Sequence, residues 1–580
     1  MKDETALPTS DDPANINARP LRHALARMSK GTSPVSTASM ISDWALHLAA
    51  APDKQLELVR KAHDNWVSWT AFLAQGCPSD VRRQPIQPQK TDRRFRHTGW
   101  NQVPFNALAH AFLLAEDFFD AATSDVPGLS ASHDKAMTFL TRQMLDAFAP
   151  GNFLATNPEA IARTFETHGQ NLIAGSMTAF ADAHAAIKQD KGSPAKTVGL
   201  EVAVTKGKVV HRNHLMELIQ YAPATKTVHP EPILIVPAWI MKYYILDLSP
   251  ENSMVRYLTE QGFTVFAISW RNPDAEDASL GMIDYLHQGP MEALDHICSR
   301  TGTKKVHAAG YCLGGTLLSI AAAAMARDGD NRIASMTLMA AQTDFTEAGE
   351  LMLFINESQV SILEDVMAAQ GYLDSSQMMS AFQMMRSNDL IWSQMIRKYL
   401  LGEDDPTMND PTMNDLMSWN ADSTRMPAKM HSEYLRKMFL NNDLAAGRYD
   451  VDGHTVSLRD IRMPVFAVGT ETDHIAPWTS VFKIHNLSHA DVTFALTNGG
   501  HNAGVISEPG HARRHYRIHT TRDADKALSA NDWQEIAELN QGSWWPAWSR
   551  WLADLSGPKA KPPKMSGALA DAPGTYVKMR

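Results

Sequence analysis

The sequence has 580 residues, more than one hydrophobic core usually holds, and therefore predicts two domains. Hydrophobic residues make up 44% and charged residues 20%, as in ordinary globular proteins, and the net charge of −10 argues against nucleic acid as the main partner. Three cysteines (Cys77, Cys298 and Cys312) are too few for a disulfide framework and favour a reducing cytoplasm. No Cys/His spacing predicts a zinc site, and no apolar run reaches the ~18 residues of a membrane helix.

The first part of the chain is predicted to be a disordered segment followed by a helical domain. Residues 1–35 are rich in Asp, Ser, Thr, Pro and Asn, and residues 1–17 lack the apolar core expected of a signal peptide. Residues 36–195 are predicted to form the helical domain, because apolar residues such as those at 41, 44, 45 and 48 recur at helical spacing. The stretch 188–196, with its lysines and glycine, is predicted to be a linker.

Residues 196–580 have a different pattern, in which short β-branched runs alternate with helical segments. This alternation predicts an α/β fold with a mainly parallel sheet. The predicted strands are Ile233–Val236, Thr264–Ser269, Lys305–Ala309, Ile333–Leu338, Pro464–Val468 and Val492–Ala495.

A Met-rich helical region at about 343–442 interrupts this alternation. An insertion at this place in an α/β sheet can cover the carboxyl ends of the strands, where ligands bind, so the region is predicted to be a cap. The sequence DPTMN occurs within it twice in succession, over residues 405–414, and we interpret the repeat as a local duplication in a surface loop.

The most informative segment is a predicted strand that leads through Gly310-Tyr311-Cys312-Leu313-Gly314 into an apolar helix. This is the pattern of a nucleophile elbow, with cysteine where esterases and lipases usually have serine. The turn is sharp, so Gly310 and Gly314 would be needed as small residues on either side of the nucleophile. A packed core cysteine is the alternative interpretation, since cysteine is often buried.

A catalytic thiol needs a base, and two later loops provide candidates for a base and its orienting acid. The loop after the strand at 464–468 contains Glu471 and Asp473, and spacing alone allows either to be the acid. Asp473 could instead cap the helix that Pro477 predicts. After the next strand, His501 follows two glycines, and the order cysteine, acid, histidine is that of the α/β-hydrolase fold.

An oxyanion hole in this fold uses two backbone N–H groups. One is expected from Leu313, the residue after the nucleophile. The other is expected from the loop that follows Val236, and Ile240 is our candidate there.

Several motifs together resemble the polyhydroxyalkanoate synthases, specifically the single-subunit, short-chain class I type. The resemblance runs from about Phe95 to the end of the sequence. The matching segments are GYCLGGT at 310–316, VPAWIMKYYILDL at 236–248, SWRNP at 269–273, WNADSTRMP at 419–427, GHNAGV at 500–505, GSWWP at 542–546 and APGTYV at 572–577.

The resemblance implies an α/β-hydrolase catalytic domain with a helical cap insertion, preceded by an α-helical domain. It implies that Cys312 is the nucleophile, that Asp473 rather than Glu471 is the acid, and that His501 is the general base. The chain departs from the family pattern at Ala238 and Met241, where the family usually has Pro and Asn. It departs again at Asn502, where an aliphatic residue is usual, and at the 405–414 duplication.

The implied reaction is acyl transfer from an (R)-3-hydroxyacyl-CoA, most readily 3-hydroxybutyryl-CoA, to a growing polyester. The implied partners are the polyester granule, phasin-like granule-associated proteins and a second copy of the chain, in a cytoplasmic setting and with no cofactor. Arg386 and Arg425 are candidates for contacting CoA on charge alone. Two rival functions fit the same motifs: a cysteine-dependent thioesterase or depolymerase, and a granule-surface scaffold with a vestigial site.

Overall fold

The structure is a computed structural model and describes residues 32–79, 83–89, 92–187, 196–374, 377, 391–403 and 411–580. Nearly all of the segment predicted to be disordered, all but one residue of the predicted linker, Arg386 and most of the 405–414 duplication therefore lie outside the described residues. The chain divides into two compact units. The sheet unit contains residues 193–378 and 412–580, and the helical unit contains residues 33–192 and 379–411.

The helical unit consists mainly of helices, and some of them begin at residues whose side chains cap the first turn. Ser130 and Asn157, for example, each accept a hydrogen bond from a backbone N–H of the first turn, as N-cap side chains do. The α-helices are Pro34–Ala50, Pro52–Ala74, Phe105–Thr123, Ala131–Ala147, Pro158–Glu166, Gln170–Ile187 and Ser393–Met395.

The sheet unit is built on an 11-stranded sheet. Its strands are β1 (Gly207–Arg212), β2 (Met216–Tyr221), β3 (Ile233–Val236), β4 (Val265–Trp270), β5 (Val306–Tyr311), β6 (Ile333–Met339), β11 (Val465–Thr470), β12 (Val492–Thr497), β13 (His515–Thr521), β14 (Glu538–Gln541) and β15 (Ala570–Asp571). Two small two-stranded sheets pair β7 (Tyr372–Leu373) with β8 (Met426–Pro427) and β9 (Asp450–Val451) with β10 (His454–Thr455).

The order of strands across the sheet is β14-β13-β12-β11-β6-β5-β3-β4-β2-β1-β15. The six central strands, from β12 to β4, run parallel, and the strands outside them on both edges are antiparallel. All six strands predicted from the sequence are the central parallel ones, so the predicted α/β architecture is confirmed.

The α-helices of the sheet unit connect these strands. Of the helix Leu313–Arg327, the first thirteen residues are buried, because small and aliphatic side chains let it pack closely. The others are Met254–Glu260, Met282–Leu286, Glu292–Thr301, Glu357–Gln370, Pro411–Asn420, Ala428–Tyr434, Trp478–Phe482, Ile484–Leu487, Ala530–Ile536 and Trp545–Asp554.

The segment at 570–579 packs onto the edge of this sheet. Strand β15 pairs antiparallel with β1, and the buried carboxylate of Glu217 accepts hydrogen bonds from the backbone N–H groups of Thr575 and Tyr576, both at 2.9 Å. A few residues later the carbonyl of Met579 accepts a 2.7 Å hydrogen bond from the buried Nζ of Lys242. Residues almost 340 positions apart are thus joined beside the loop that follows β3.

No helix among the described residues is both long enough and apolar enough to cross a membrane.

Candidate active site

Cys312 lies in the sharp turn between β5 and the helix Leu313–Arg327. Its backbone has φ 52° and ψ −125°, an uncommon conformation for a residue with a side chain, and such strain costs about 1–3 kcal/mol. Two hydrogen bonds hold it: the N–H of Cys312 donates to the Met339 carbonyl on β6, and the Cys312 carbonyl accepts from Gly315, both at 2.9 Å. The turn leaves the Cys312 side chain partly accessible although the residues around it are buried.

The two glycines of the turn lie where the backbone leaves no room for a side chain. A Cβ added at Gly310 would lie 2.4 Å from the Cα of Gly315. A Cβ added at Gly314 would lie 2.1 Å from the carbonyl oxygen of Val236, at the end of β3. The elbow therefore depends on glycine at both positions, and it brings the start of the helix against the loop after β3.

His501 and Asp473 meet beyond the carboxyl ends of β12 and β11. Nδ1 of His501 lies 2.8 Å from Oδ2 of Asp473, and the Asp473 side chain has no solvent exposure. The other oxygen of Asp473 accepts from the N–H groups of Ile475 and Ala476, both at 2.9 Å, and the Thr470 hydroxyl donates to Oδ2 at 3.0 Å. Each oxygen of this buried carboxylate thus has two hydrogen-bond partners.

The charges of the site shift both pKa values of this pair. Burial alone would lower the pKa of His501, but the Asp473 carboxylate and the nearby Cys312 sulfur outweigh burial and raise that pKa well above its ordinary value. Burial alone would raise the pKa of Asp473, but His501 and the two N–H donors outweigh it and lower that pKa. Cys312 is among the causes of the raised pKa of His501, which puts the thiol in the neighbourhood of the His501–Asp473 pair.

The structure brings Asp473, and not Glu471, to the histidine. The carboxylate of Glu471 lies instead 3.5 Å from Nε2 of His515. Spacing alone allowed either acid. Asp473 differs from Glu471 because it lies within the turn after β11, beside the start of the next helix, where its carboxylate can accept hydrogen bonds from backbone N–H groups.

The loop after β3 is held in place by three of its carbonyl groups. The Pro237 carbonyl accepts from the Trp270 indole at 2.9 Å, the Trp239 carbonyl accepts from the Thr424 hydroxyl at 2.6 Å, and the Ile240 carbonyl accepts from the Thr424 N–H at 3.3 Å. These bonds fix the peptide planes of the loop where it approaches Gly314.

The two residues of this loop that depart from the family pattern, Ala238 and Met241, have different surroundings. Ala238 is buried, whereas Met241 is partly buried and packs against the same hydrophobic cluster as Cys312. The backbone of Met241 also forms an isolated antiparallel bridge with Ser423.

Buried aromatic side chains cluster around Tyr434. Burial raises the pKa of Tyr434 well above its ordinary value, and the charge of Cys312 adds to the shift. The ring of Tyr434 lies 6.3 Å from the rings of both Trp239 and Phe345. These four residues come from the elbow, the loop after β3 and the region predicted to be a cap.

A second buried tyrosine connects the elbow to the histidine loop. The Tyr311 hydroxyl donates a 2.6 Å hydrogen bond to Oδ1 of Asn502, and the Tyr311 ring lies 5.7 Å from the His501 ring. Burial raises the pKa of Tyr311 well above its ordinary value, so the phenol stays neutral and needs an acceptor. Asn502, a departure from the family pattern, provides that acceptor.

Three side chains that the sequence analysis did not assign to the site hold the histidine loop from behind. The indoles of Trp544 and Trp545 donate to the carbonyls of Gly504 and Val505 at 3.1 and 2.9 Å. Arg514 donates to the carbonyl of Ala503 at 2.6 Å. The tryptophans were visible only as part of a family motif, and they contact the loop from 40 residues away in sequence, whereas Arg514 lies 11 residues from Ala503.

Of the two arginines proposed for CoA, Arg425 is described. Its guanidinium donates to the Pro273 carbonyl at 3.3 Å and lies 4.9 Å from the centre of the Tyr372 ring. Its backbone N–H donates to Asn272 at 2.9 Å. These contacts fix the residue within the fold, and its role toward CoA stays a prediction.

The parallel sheet and the cysteine elbow define a protein of the α/β-hydrolase fold class. A family model for that fold matches residues 231–505. Two more models match earlier parts of the chain: "Poly-beta-hydroxybutyrate polymerase (PhaC) N-terminus" over residues 91–258 and "Poly-beta-hydroxybutyrate polymerase N terminal" over residues 19–54.

Curated relatives extend the similarity over most of the chain. The poly(3-hydroxyalkanoate) polymerase of Methylorubrum extorquens is 40% identical, over 91% of this chain and 87% of its own length. The polymerase subunit PhaC of Rhizobium meliloti is 37% identical over 94% of this chain and 88% of its own, and that of Cupriavidus necator is 37% identical over 84% and 83%. The chain belongs to the poly(3-hydroxyalkanoate) polymerase family, is of the class I type that its motifs predicted, and is an enzyme.

Proposed function

We propose that the enzyme polymerises (R)-3-hydroxyacyl-CoA, most readily 3-hydroxybutyryl-CoA, into polyhydroxyalkanoate with release of CoA. The observation that carries this proposal is the buried hydrogen bond of His501 Nδ1 with Asp473, near a Cys312 sulfur that helps to raise the pKa of His501. It is the arrangement of a nucleophile, its base and an orienting acid. The names of the relatives favour a polymerase over the thioesterase that the same site could support.

The first half of the reaction forms an acyl-enzyme. His501 takes the proton of Cys312, and the thiolate attacks the thioester carbonyl of the substrate. A raised pKa makes His501 the stronger base for this step. The backbone N–H groups of Leu313 and Ile240 stabilise the oxyanion. The carbon–sulfur bond to CoA then breaks, CoA leaves with the proton from His501, and the acyl group remains on Cys312.

The second half extends the polymer. The hydroxyl of a second hydroxyacyl unit loses its proton to His501 as its oxygen attacks the acyl group on Cys312. An ester bond forms, the carbon–sulfur bond breaks, and the Cys312 sulfur recovers the proton. A thioester intermediate stays reactive toward an alcohol, and the buried rings of Trp239, Phe345 and Tyr434 limit the access of water, which would end the chain.

Asp473 acts in this scheme by orienting His501 and not by contacting the substrate hydroxyl. Its side chain is fully buried, and both oxygens already accept hydrogen bonds. To contact the substrate hydroxyl directly, Asp473 would have to break some of these hydrogen bonds. To orient His501, it can keep all of them.

We place the remaining features of the enzyme in the same proposal: a catalytic domain at 196–580 with a cap at about 343–442, a helical domain at 36–195, a homodimer, and attachment to cytoplasmic granules with phasin-like proteins.

The support for attachment to granules is the exposed apolar surface of the helical unit. On the helix Gln170–Ile187, the side chains of Ile173, Met177 and Phe180 lie one helical turn apart and are 63%, 70% and 76% exposed.

The test compares the wild-type enzyme with two cysteine variants on (R)-3-hydroxybutyryl-CoA, measuring free CoA and the mass of insoluble polymer in one reaction. Cys312→Ala is expected to abolish both products. Cys298→Ala, which removes a partly buried thiol elsewhere in the sheet unit, is the matched control and is expected to retain both. CoA release with only soluble 3-hydroxybutyrate from the wild type would mean a hydrolase, and polymer from Cys312→Ala would contradict the assigned nucleophile.

A further inference from the structure

A group of three potential metal ligands lies between β1 and the helix Glu292–Thr301. The group consists of His211, Glu292 and His296, and one ligand atom from each lies within 4.8 Å of the others. Two of the side chains are partly buried and His296 is exposed, so the group is reachable from solvent.

The secondary structure brings these side chains together. Glu292 and His296 are four residues apart and therefore lie on the same face of their helix. His211 projects from β1, and its Nε2 lies 2.6 Å from Oε1 of Glu292. The two imidazole rings are stacked, with centres 3.6 Å apart and planes inclined by 19°.

The three side chains offer the donor atoms that a divalent cation binds. One ligand atom from each lies within 4.8 Å of the others, so an ion beside the stacked rings can bind all three once the exposed His296 ring turns toward it. Two histidines and one glutamate form a ligand set that zinc adopts in proteins with a water at the fourth position, and imidazole donors also suit cobalt and nickel.

The carboxylate is oriented by a neighbour, as metal ligands usually are. Oε2 of Glu292 accepts a 2.8 Å hydrogen bond from the side-chain amide of Asn213, which also donates to the Gln288 carbonyl at 2.8 Å. With Oε2 occupied, Oε1 is the oxygen that faces His211. Such a partner fixes the direction of a ligand and raises the affinity for metal.

We propose that His211, Glu292 and His296 form a binding site for a divalent transition metal ion of the zinc class, which ties β1 to the helix Glu292–Thr301. The site takes no part in the acyl transfer. Strand β1 lies four positions from β5 in the sheet, about 19 Å at the usual spacing between strands. Its role is to join the antiparallel edge of the sheet to the helix that leads into β5.

The test uses the full-length enzyme, freed of metal with a chelator and titrated with Co2+ as a spectroscopic probe, then with Zn2+ in competition. One Co2+ per chain is expected, with the absorption of a nitrogen and oxygen ligand set. His296→Ala and Glu292→Gln are expected to lower the affinity by more than the ~10–100-fold typical for loss of an outer partner. Zn2+ is expected to raise the melting temperature of the wild type but not of these variants.

Two control variants test whether the metal affinity depends on these three residues. His287→Ala removes a nearby histidine that also pairs with a carboxylate, Asp452 at 2.9 Å, and is expected to leave the affinity unchanged. Cys312→Ala excludes metal held by the nucleophile and is expected to bind as the wild type does. The proposal is overturned if the wild type binds no tighter than His296→Ala, if His287→Ala loses as much affinity, or if the cobalt spectrum shows thiolate ligation.

Discussion

The sheet unit and the helical unit differ in where they keep their large apolar side chains. In the sheet unit these side chains fill the space around the central parallel strands, and the strained elbow at Cys312 is enclosed by them. In the helical unit many remain in solvent, among them Trp66, Phe165 and Phe180, which are 63%, 79% and 76% exposed. A reaction at one sulfur atom needs rigid surroundings, whereas adhesion to an apolar surface needs exposed area.

The comparison predicts that substitutions in the sheet unit change chemistry or stability, and that substitutions on the helical surface change only association. The following experiments test it, from the largest expected effect to the smallest.

Asp473→Asn is expected to lower kcat by about 10⁴-fold, the scale seen when the acid of a triad is replaced by its amide. The amide keeps the shape of the site but no longer stabilises a charged His501. Steady-state CoA release measures the effect, and Glu471→Gln is the matched control, since that carboxylate faces His515. Equal losses in the two variants would contradict the assignment of the acid.

Gly314→Ala is expected to lower the free energy of unfolding by about 3 kcal/mol or more, because the new methyl group would meet the Val236 carbonyl at 2.1 Å. Gly329→Ala serves as the control: it has a positive φ of 76° but no atom within 4 Å of the added Cβ, so only backbone strain of about 1 kcal/mol is expected. Denaturant unfolding compares them, and equal losses would mean that the close approach at the elbow is unimportant.

Asn502→Leu is expected to destabilise the enzyme by about 1–3 kcal/mol, because the buried Tyr311 hydroxyl would lose its acceptor. Tyr311→Phe combined with Asn502→Leu should recover most of that loss, since neither polar group is then left unpaired. Unfolding of the single and double variants completes a mutant cycle, and additive losses would show that the two side chains are not coupled.

Replacing Ile173, Met177 and Phe180 together by serine is expected to leave CoA release unchanged within about twofold, since these exposed side chains pack against little. The fraction of enzyme that sediments with polyester granules should fall severalfold. The matched control replaces Leu200 and Leu569, which are 78% and 58% exposed in the sheet unit, and should sediment as the wild type does. Sedimentation unaffected by the triple variant would remove the support for this surface.

The central strands could be predicted from the sequence because parallel strands are buried on both faces. Ile233–Val236, for example, is a continuous apolar run, and its predicted and observed bounds agree. Among the antiparallel strands that were missed, β13, with the sequence HYRIHTT, is half exposed and mostly polar. The short strands β7 and β8, inside a region predicted to be helical, are two residues long and too short to give a pattern.

The candidate site also has one part that the sequence could predict and another part that it could not. Cys312 and His501 follow local rules of strand, glycine and loop, so these rules were enough to select them, whereas Asp473 was chosen over Glu471 by the family resemblance. The supporting contacts of Trp544 and Trp545 join segments 40 residues apart that the folded chain brings together, and that of Arg514 joins residues 11 apart. Nothing in the local sequence distinguishes these residues from ordinary core or surface positions.

The attachment of residues 570–579 to the sheet also has a consequence for the timing of folding. Glu217 and Lys242 emerge from the ribosome more than 300 residues before their partners Thr575 and Met579. Contacts between such distant parts of a chain form late and slowly. A nascent chain can therefore complete its parallel core while the loop beside Lys242 still lacks its support, so catalytic competence is expected to follow the synthesis of this segment.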